Sequence, residues 1–551
     1  MWKKMKKIFT ILSVAAALVF SAGCNKFGDM NTSQTSLTIE QLPPANMFAR
    51  MVYKGIYADY QRNFNLYDDM YAHYFADNTT WWSGANYAYN DGWAGCLWWE
   101  FYDQSLQYWS IIEDICEENG SSYDAVAAVT DVFSVYQWSR LTDRWGDIPY
   151  TGAGEGEAVD YTDQKTIYLD LLDRLDADGQ VLSSLASSQY DLSSYDLIYG
   201  GDYTKWKKFC YSLMLRLATR ISRVDPTDAA TYAQKAISGG VFTSYSDVAV
   251  VPYDASVWSD YYDRLSYDWG QTATEEHFIS VLNGTNPGYT TGVQDPRLPI
   301  FFKPVQGDYS NAGEYVGFPN GDATSAEFSA WTRTLGADGT YTDNSYSVIN
   351  EDDPDGYFYF GFHDLNESNL GYPVMTYSEV LFCRAELALR GILSGDAESL
   401  WKSGIEASIY EAADHTSTCG QGTALVSSSD ITTYINALPD FGSSNEDKLR
   451  SIIIQKWIAL YPNSVEGWNE IRRTGYPDIY SGVVNYPGTS SSALVQSGNV
   501  IQRLSYPDNA YDYDEEHIPS EYQSGGSKYS YREQYGVWWS LAGDGGTFAY
   551  S

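Results

Sequence analysis

Apolar residues between residue 46 and about residue 477 recur mainly every three or four positions, the period of a helix with one buried face. Over 446–461, Leu449, Ile452, Ile453, Trp457, Leu460 and Tyr461 fall on one side. Over 203–223 the stripe is Trp206, Phe209, Leu213, Leu217 and Ile221. Over 371–391 it is Tyr377, Val380, Leu381, Ala385 and Ala388, and Gly391 is placed to stop that helix. The same spacing predicts helices over 46–76, 97–118, 123–143, 163–185, 227–238 and 398–413. They come as neighbours with short polar breaks. The pattern therefore suggests a mainly α fold of tetratricopeptide-like helical hairpins, each pair burying its face on the next. A bundle without repeats is the alternative.

The periodicity lapses between about 240 and 370. There Gly, Pro, Asp, Asn and Tyr dominate, as in "NGTNPGYTTGVQDPRLP" and "VINEDDPDG". Such punctuation predicts a loop-rich excursion with short strands or helices. A second loop-rich stretch follows Pro477 and runs into a Gly-, Tyr- and Asp-rich tail. The expected organisation is one domain over 46–551. Its helical scaffold covers about 46–238 and 371–477, its loop-rich ligand region about 240–370, and its tail about 478–551.

The first residues read as a targeting segment. Lys3, Lys4, Lys6 and Lys7 precede an apolar stretch from Ile8 to Phe20, too short to cross a bilayer but suited to export. Ser21-Ala22-Gly23-Cys24 then reads as a lipobox, with residues 1–23 removed, Cys24 lipidated and 24–45 a tether. Ser21 stands where Leu is more usual. Two or three acyl chains hold a protein firmly on a membrane where one does not.

Net charge narrows the partners. It is −38, and −42 once the four signal lysines are gone. A phosphate backbone or an anionic lipid surface needs a basic face, so nucleic acid is excluded as a partner. Apart from Cys24 there are five cysteines, Cys96, Cys116, Cys210, Cys383 and Cys419, with no CxxC. They read as small buried residues. Catalytic signatures are missing: there is no G-x-S-x-G, HExxH or G-x-x-x-x-G-K, and the five histidines do not pair at ligand spacing. The acidic run Glu351 to Gly356 offers oxygen ligands to Ca²⁺ but lacks EF-hand spacing, and a solvated acidic turn is the plainer reading.

The positive chemical signal is aromatic. The chain has 49 Tyr and 18 Trp. Rings with a polar tip suit partners that are half apolar and half wet, such as the C–H face of a pyranose. One such face on one ring is worth about 1.5 kcal/mol, so several platforms are needed to overcome the cost of association.

Five words now carry a resemblance: "LTDRWGDIPY" (Leu141 to Tyr150), "DPRLP" (Asp295 to Pro299), "YPVMTYSEVLFCRAELALRG" (Tyr372 to Gly391), "QKWIALYPNSVEGWNEIRRTGYP" (Gln455 to Pro477) and "RLSYP" (Arg503 to Pro507). In this order, and with the lipobox, they resemble the SusD/RagB family of nutrient-binding outer-membrane lipoproteins over nearly the whole chain. One departure is local: Pro507-Asp508-Asn509-Ala510 stands where the family commonly has a Glu. The words themselves read as fold determinants, with Gly475 suited to a left-handed helix end and Pro477 blocking continuation.

The resemblance implies a tetratricopeptide-like scaffold carrying a variable ligand region. It also implies capture of oligosaccharide at the cell surface, a TonB-dependent outer-membrane transporter as partner, and no catalysis. Peptide or glycopeptide capture by the same lid mechanism is one alternative, an anchored glycan hydrolase another, and a scaffold that only assembles partners a third. In this family the binding rings come from the loop after the first long helix and from the excursion. Here that loop holds Asp77, Asn78, Trp81, Trp82, Asn86, Tyr87, Tyr89 and Trp93; the excursion offers Tyr315, Trp331 and Tyr341. From Leu97 the spacing turns helical. Trp98, Phe101, Ser105, Tyr108, Ile112 and Ile115 share one face, Trp99, Tyr102, Leu106 and Trp109 a second, and both stripes are expected inside.

Overall fold

Local chemistry sets most of the helix ends. The Asp163 carboxylate accepts from the Thr166 N–H, Asp202 from Thr204 and Lys205, Asp225 from Asp228, and the Thr376 hydroxyl from Glu379. Each satisfies a donor that the first turn of a helix leaves unpaired. Ser427 and Ser444 form reciprocal capping boxes with Asp430 and Asp447. At the other end, Gly146 and Gly475 adopt φ of 75° and 79° to terminate their helices, a backbone region that favours glycine.

The structure is a computed structural model, and it describes residues 42–56, 61–77, 90–155, 158–186, 188–252, 272–320, 325–330, 333–335, 341–349, 371–413, 426–478, 500–522 and 535–543. The longer helices are α1 (Pro44–Ile56), α2 (Leu106–Asn119), α3 (Asp124–Trp145), α4 (Gln164–Ser183), α5 (Tyr203–Ile221), α6 (Pro226–Gly239), α7 (Tyr377–Leu389), α8 (Ala397–Ala413), α9 (Ser428–Ala437), α10 (Asn445–Leu460) and α11 (Ser464–Thr474). Sequential neighbours pack together: α2 on α3, α3 on α4, α4 on α5, α5 on α6, α7 on α8 and α10 on α11. Helix α5 also packs on α7, and α10 on α7 and α8, so the two halves of the scaffold join. The excursion supplies short two-stranded ribbons and short helices, as its composition implies.

Three helix assignments change, the mildest over 97–118, where a π turn at Phe101–Ser105 separates Cys96–Glu100 from α2, and one further helix, α9, is added. Over 46–76 the helix ends at Ile56; Gln61–Asn65 forms a π turn, Asp68–Tyr71 a single helical turn and Phe75–Asp77 a strand. The reason is burial on every side: Phe64, Leu66, Tyr67, Met70, Tyr71, Ala72, Tyr74, Phe75 and Ala76 are all buried, so one apolar face is not selected. Over 371–391, Gly371–Met375 is instead a strand paired with Ala249–Pro252, and the helix starts only after Thr376. Pro373 lacks the N–H a helix interior needs and favours extended backbone before it. Helix α9, with only Ile431 and Tyr434 buried, was too polar to stand out.

Inside the scaffold lies a network of buried ion pairs built from the motif words together with Arg216 and Arg220 of α5. Asp143 accepts from Arg220, from the Tyr168 hydroxyl, and from Asn469 Nδ2 and Trp539 Nε1, both at 3.0 Å. Arg220 also reaches Glu466. Arg216 grips both oxygens of Glu379 at 2.6 Å, and Arg473 grips Glu386 at 2.6 and 2.7 Å. Lys456 meets Glu470 at 2.8 Å. Arg297 holds Asp295 at 2.9 and 2.6 Å within "DPRLP". Removing one member leaves its partners charged and dry. Glu466→Ala, which leaves Arg220 with Asp143 alone and Arg216 with Glu379 alone, is expected to lower unfolding free energy by about 3 kcal/mol. Urea denaturation with an unchanged m-value checks it; a midpoint within error of the parent would mean that water or another group neutralises these arginines.

Candidate functional site

Most of the expected binding loop, including Asn78, Trp81, Trp82, Asn86, Tyr87 and Tyr89, lies outside the described residues, as do Trp331 and the acidic run Glu351 to Gly356. The two ends of the loop are described. At one end, Asp77 sits in a strand with Phe75 opposite Thr274, Ala76 opposite Ala273 and Asp77 opposite Thr272. Asp77 is wholly buried, so it belongs to the loop's footing and not to an open binding face, contrary to expectation. At the other end, the Tyr67 hydroxyl donates to the Asn90 carbonyl at 2.9 Å, and Asn90 Oδ1 accepts from the Trp93 N–H at 3.0 Å. Trp93 is half-buried against the main core.

From the excursion, Tyr315 is half-buried and packed on the core, and burial pushes its phenol pKa up. Tyr341 starts a strand whose backbone pairs with Leu335. The segment after Tyr315 runs beside the loop's footing. Phe318 N–H donates to the Thr274 carbonyl at 2.9 Å and Glu276 N–H to the Phe318 carbonyl at 3.1 Å. Gly317 makes that approach possible, since a Cβ there would lie 2.3 Å from Glu276 Cα. Ala76, Ala273 and Phe318 form a small apolar cluster of their own, with Tyr346 against it. Two regions chosen separately from the sequence therefore share one three-segment root.

The same root carries a group of metal-type donors. Glu275, Glu276 and His277 present donor atoms within 4.8 Å of one another, the one such group of three or more among the described residues. Their arrangement already has a structural role. Glu275 Oε2 accepts from the Phe278 N–H at 2.8 Å, capping the helix Glu276–Leu282, and Oε1 lies 2.6 Å from His277 Nδ1. His73, at φ 57°, places Nδ1 3.9 Å from the same oxygen. Burial, with His277 nearby, holds the His73 imidazole well below its ordinary pKa, and hence neutral.

A separate cavity of about 920 Å³ opens over the start of α2. Its walls are Tyr102, Trp109, Trp138 and Tyr150, with Leu106 at the base of α2 and the turn Gly152–Ala153–Gly154 opposite. Polar groups converge on it: Asp103, Gln107, Ser110, Glu155, Asp170 and Arg174. Arg174 is fixed on all sides. It donates from Nε to Asp131 at 3.1 Å, from Nη1 to the Tyr150 hydroxyl at 2.8 Å and from Nη2 to Ser134 at 2.7 Å. Its guanidinium lies 5.2 Å from the Trp109 ring centroid. The Tyr150 hydroxyl in turn donates to Asp170. None of these residues was singled out from the sequence as a ligand contact. Tyr102, Leu106 and Trp109 were assigned to the interior by helical spacing, and Tyr150 to a fold-determining word. Trp98 fulfils the core reading, packed on Trp145 and Tyr506; Tyr102, one turn later, and Trp109, three turns later, pack partly on the core and also line the cavity. Helical spacing names the face but not what lies opposite it.

Several solved structures resemble the chain. One is described as a chitin-binding protein, 26% identical, with a TM-score of 0.71, covering 91% of this chain and 100% of the other. Another is a chitin-binding SusD homologue from Flavobacterium johnsoniae, 25% identical, TM-score 0.69, covering 90% and 98%. A SusD-like protein from Bacteroides thetaiotaomicron VPI-5482 is 25% identical, TM-score 0.70, covering 92% and 100%. No curated protein matches the chain. A family model described as SusD-like, "Susd and RagB outer membrane lipoprotein", matches residues 29–540.

Behind the cavity wall, burial reinforced by Asp131 pushes the Glu113 carboxyl up to about 8 from an ordinary 4.5. Between those values the unfolded chain has lost the proton and the folded chain keeps it, so this group makes stability fall as pH rises. Glu113→Gln removes the contribution. The difference in urea midpoint between variant and parent should therefore widen in the variant's favour from about pH 5 to about pH 8; parallel pH profiles would show that Glu113 is ionised in the folded protein throughout.

Proposed function

This chain belongs to the SusD/RagB family of outer membrane lipoproteins, and we propose that it is anchored through Cys24 at the cell surface. There it binds neutral glycan and delivers it to a TonB-dependent transporter in the outer membrane. The observation that carries the ligand reading is the shared root. The loop bearing Trp81 and Trp82 and the segment bearing Tyr315 are footed on the same strand pair, so rings from both can act on one ligand. A rigid footing under a variable loop is how binding proteins combine precision with changeable specificity. Two relatives described as chitin-binding, at 26% and 25% identity, make chitin oligosaccharides the first ligands to try. The acid excess of the chain favours an uncharged ligand over an anionic one. Among the described residues no helix is long and apolar enough to cross a membrane.

The reading is tested by titrating purified protein with neutral oligosaccharides, chitin trimer first, and by electrophoresis through gels containing a panel of neutral polysaccharides. Trp81→Ala with Trp82→Ala removes two ring platforms worth about 1.5 kcal/mol each. Affinity should drop about 100-fold, with the circular dichroism spectrum unchanged. Undiminished affinity would move the ligand elsewhere. Steady release of shorter sugars on prolonged incubation would make the protein a hydrolase.

A further inference from the structure

We propose that the cavity between α2, α3 and α4 is a second saccharide site, selective for neutral or amino sugars and closed to acidic ones. It rests on the glycan reading above only for the class of ligand; the site and its selectivity come from the cavity itself.

Four observations carry it. First, about 920 Å³ is within the range of sites that enclose a small organic ligand. Second, the walls combine ring faces with hydrogen-bonding groups. Tyr102, Trp109 and Tyr150 are half-buried, and Trp138 is the buried floor, edge-on to Tyr150 at 4.7 Å. A sugar ring needs both kinds of surface, apolar for its C–H face and polar for its hydroxyls. Third, the site is already organised. Tyr102 donates to the Pro149 carbonyl at 2.6 Å, Trp109 Nε1 to Asp131 at 3.0 Å, and Arg174 fixes Tyr150 at 2.8 Å. These rings therefore lose little freedom on binding. Gly154, at φ 90°, gives the facing turn a backbone conformation that favours glycine and sits beside Leu106.

Fourth, the charges set the selectivity. Asp103, Glu155 and Asp170 line the cavity, while its one lining cation, Arg174, is engaged by Asp131. The field inside is therefore negative, and a carboxylate or sulfate on a sugar meets it without a partner. A hydroxyl can donate to these carboxylates, and an ammonium can pair with them. Both are accepted.

The test uses full-length mature protein labelled with fluorotryptophan and followed by fluorine NMR, with the Trp109 resonance assigned from its loss in Trp109→Phe. The probes are chitin trimer, its deacetylated glucosamine trimer, and trigalacturonic acid. Both of the first two should shift the Trp109 resonance saturably, and the acid should leave it in place. Ser110→Trp, at an exposed lining position, fills the space while keeping the four rings, Arg174 and the three carboxylates; it should weaken the response about tenfold or more. The shift should persist in the Trp81→Ala, Trp82→Ala double variant. A Trp109 resonance unmoved by all three probes, or one moved equally in Ser110→Trp, overturns the proposal, as does a response to the acidic trimer equal to that of the neutral one. Loss of the shift only in the loop double variant would place the sugar at the loop alone.

Discussion

The constraint on which the fold turns is that Asp143, Arg220 and Glu466 are charged, buried and far apart in sequence. Helix α3 contributes Asp143, α5 contributes Arg220 and α11 contributes Glu466. Dry charges are tolerable only if every one is paired and hydrogen-bonded. That condition is met here by extension: Arg216 bridges Glu466 to Glu379 on α7, and Arg473 bridges Glu470 to Glu386. Burial opposes ionisation of Glu466, yet Arg220 and Arg216 outweigh it and hold its carboxyl below the ordinary range. Apolar packing alone would allow hairpins to slide along one another. A set of paired charges fixes register, because a slip of one turn would leave ions unpaired in the core.

The network reaches the loop's root through two connections. Arg144, beside Asp143, donates to Asp68 at 2.8 Å and so holds the single helical turn before His73. From α10, Trp457 Nε1 donates to the Ala72 carbonyl at 2.8 Å, and the Tyr74 hydroxyl donates to the Trp457 carbonyl at 2.5 Å. Tyr74 stacks on Trp457 with Phe278 alongside, so the same rings support the helix that follows the strand Thr272–Thr274. Asn320 adds a bond to the Met70 carbonyl at 2.8 Å. The loop-rich region is therefore clamped to the helical scaffold at its root, where its backbone would otherwise be free to drift. A footing of this kind lets the loop's own sequence vary without cost to the fold.

The helices were legible because their evidence is local. Periodicity and stop signals found nearly all of them, and Gly475 ends α11 with the left-handed backbone expected of it. The boundary near Gly95 is also present: Gly95 precedes the helix Cys96–Glu100, and Trp98 is buried as its spacing implied. What escaped was non-local. Residues 61–77 are buried on all sides, so their pattern carries no period to read. The strand at 371–375 depends on a partner more than a hundred residues earlier. For the candidate site, the sequence shows an aromatic-rich loop, and the resemblance proposes it as a ligand region, but neither reveals that Asp77 is buried or that the segment after Tyr315 runs beside the loop's root. Tyr102 and Trp109 pack on the core as their stripe implies, and they also line a cavity because α3, α4 and the 150–155 turn leave a gap beside them.

Charge gives the last step. Among the described residues ten cations are buried against thirteen carboxylates, so the interior is close to neutral. Among the described residues little of the acid excess is therefore in the core, and the rest acts on whatever approaches. An exterior of that sign disfavours anionic polymers and anionic lipid headgroups at long range, and it leaves neutral ligands to be chosen by contact alone. Contact with aromatic faces is weak per ring, so affinity has to accumulate over several of them. A protein that meets long, repetitive, uncharged chains gains from this arrangement, since each added sugar can occupy another platform. A second aromatic site on the scaffold, acidic where the exterior is acidic, extends the same logic: it adds contact for a neutral chain and rejects the ligands that the surface already turns away.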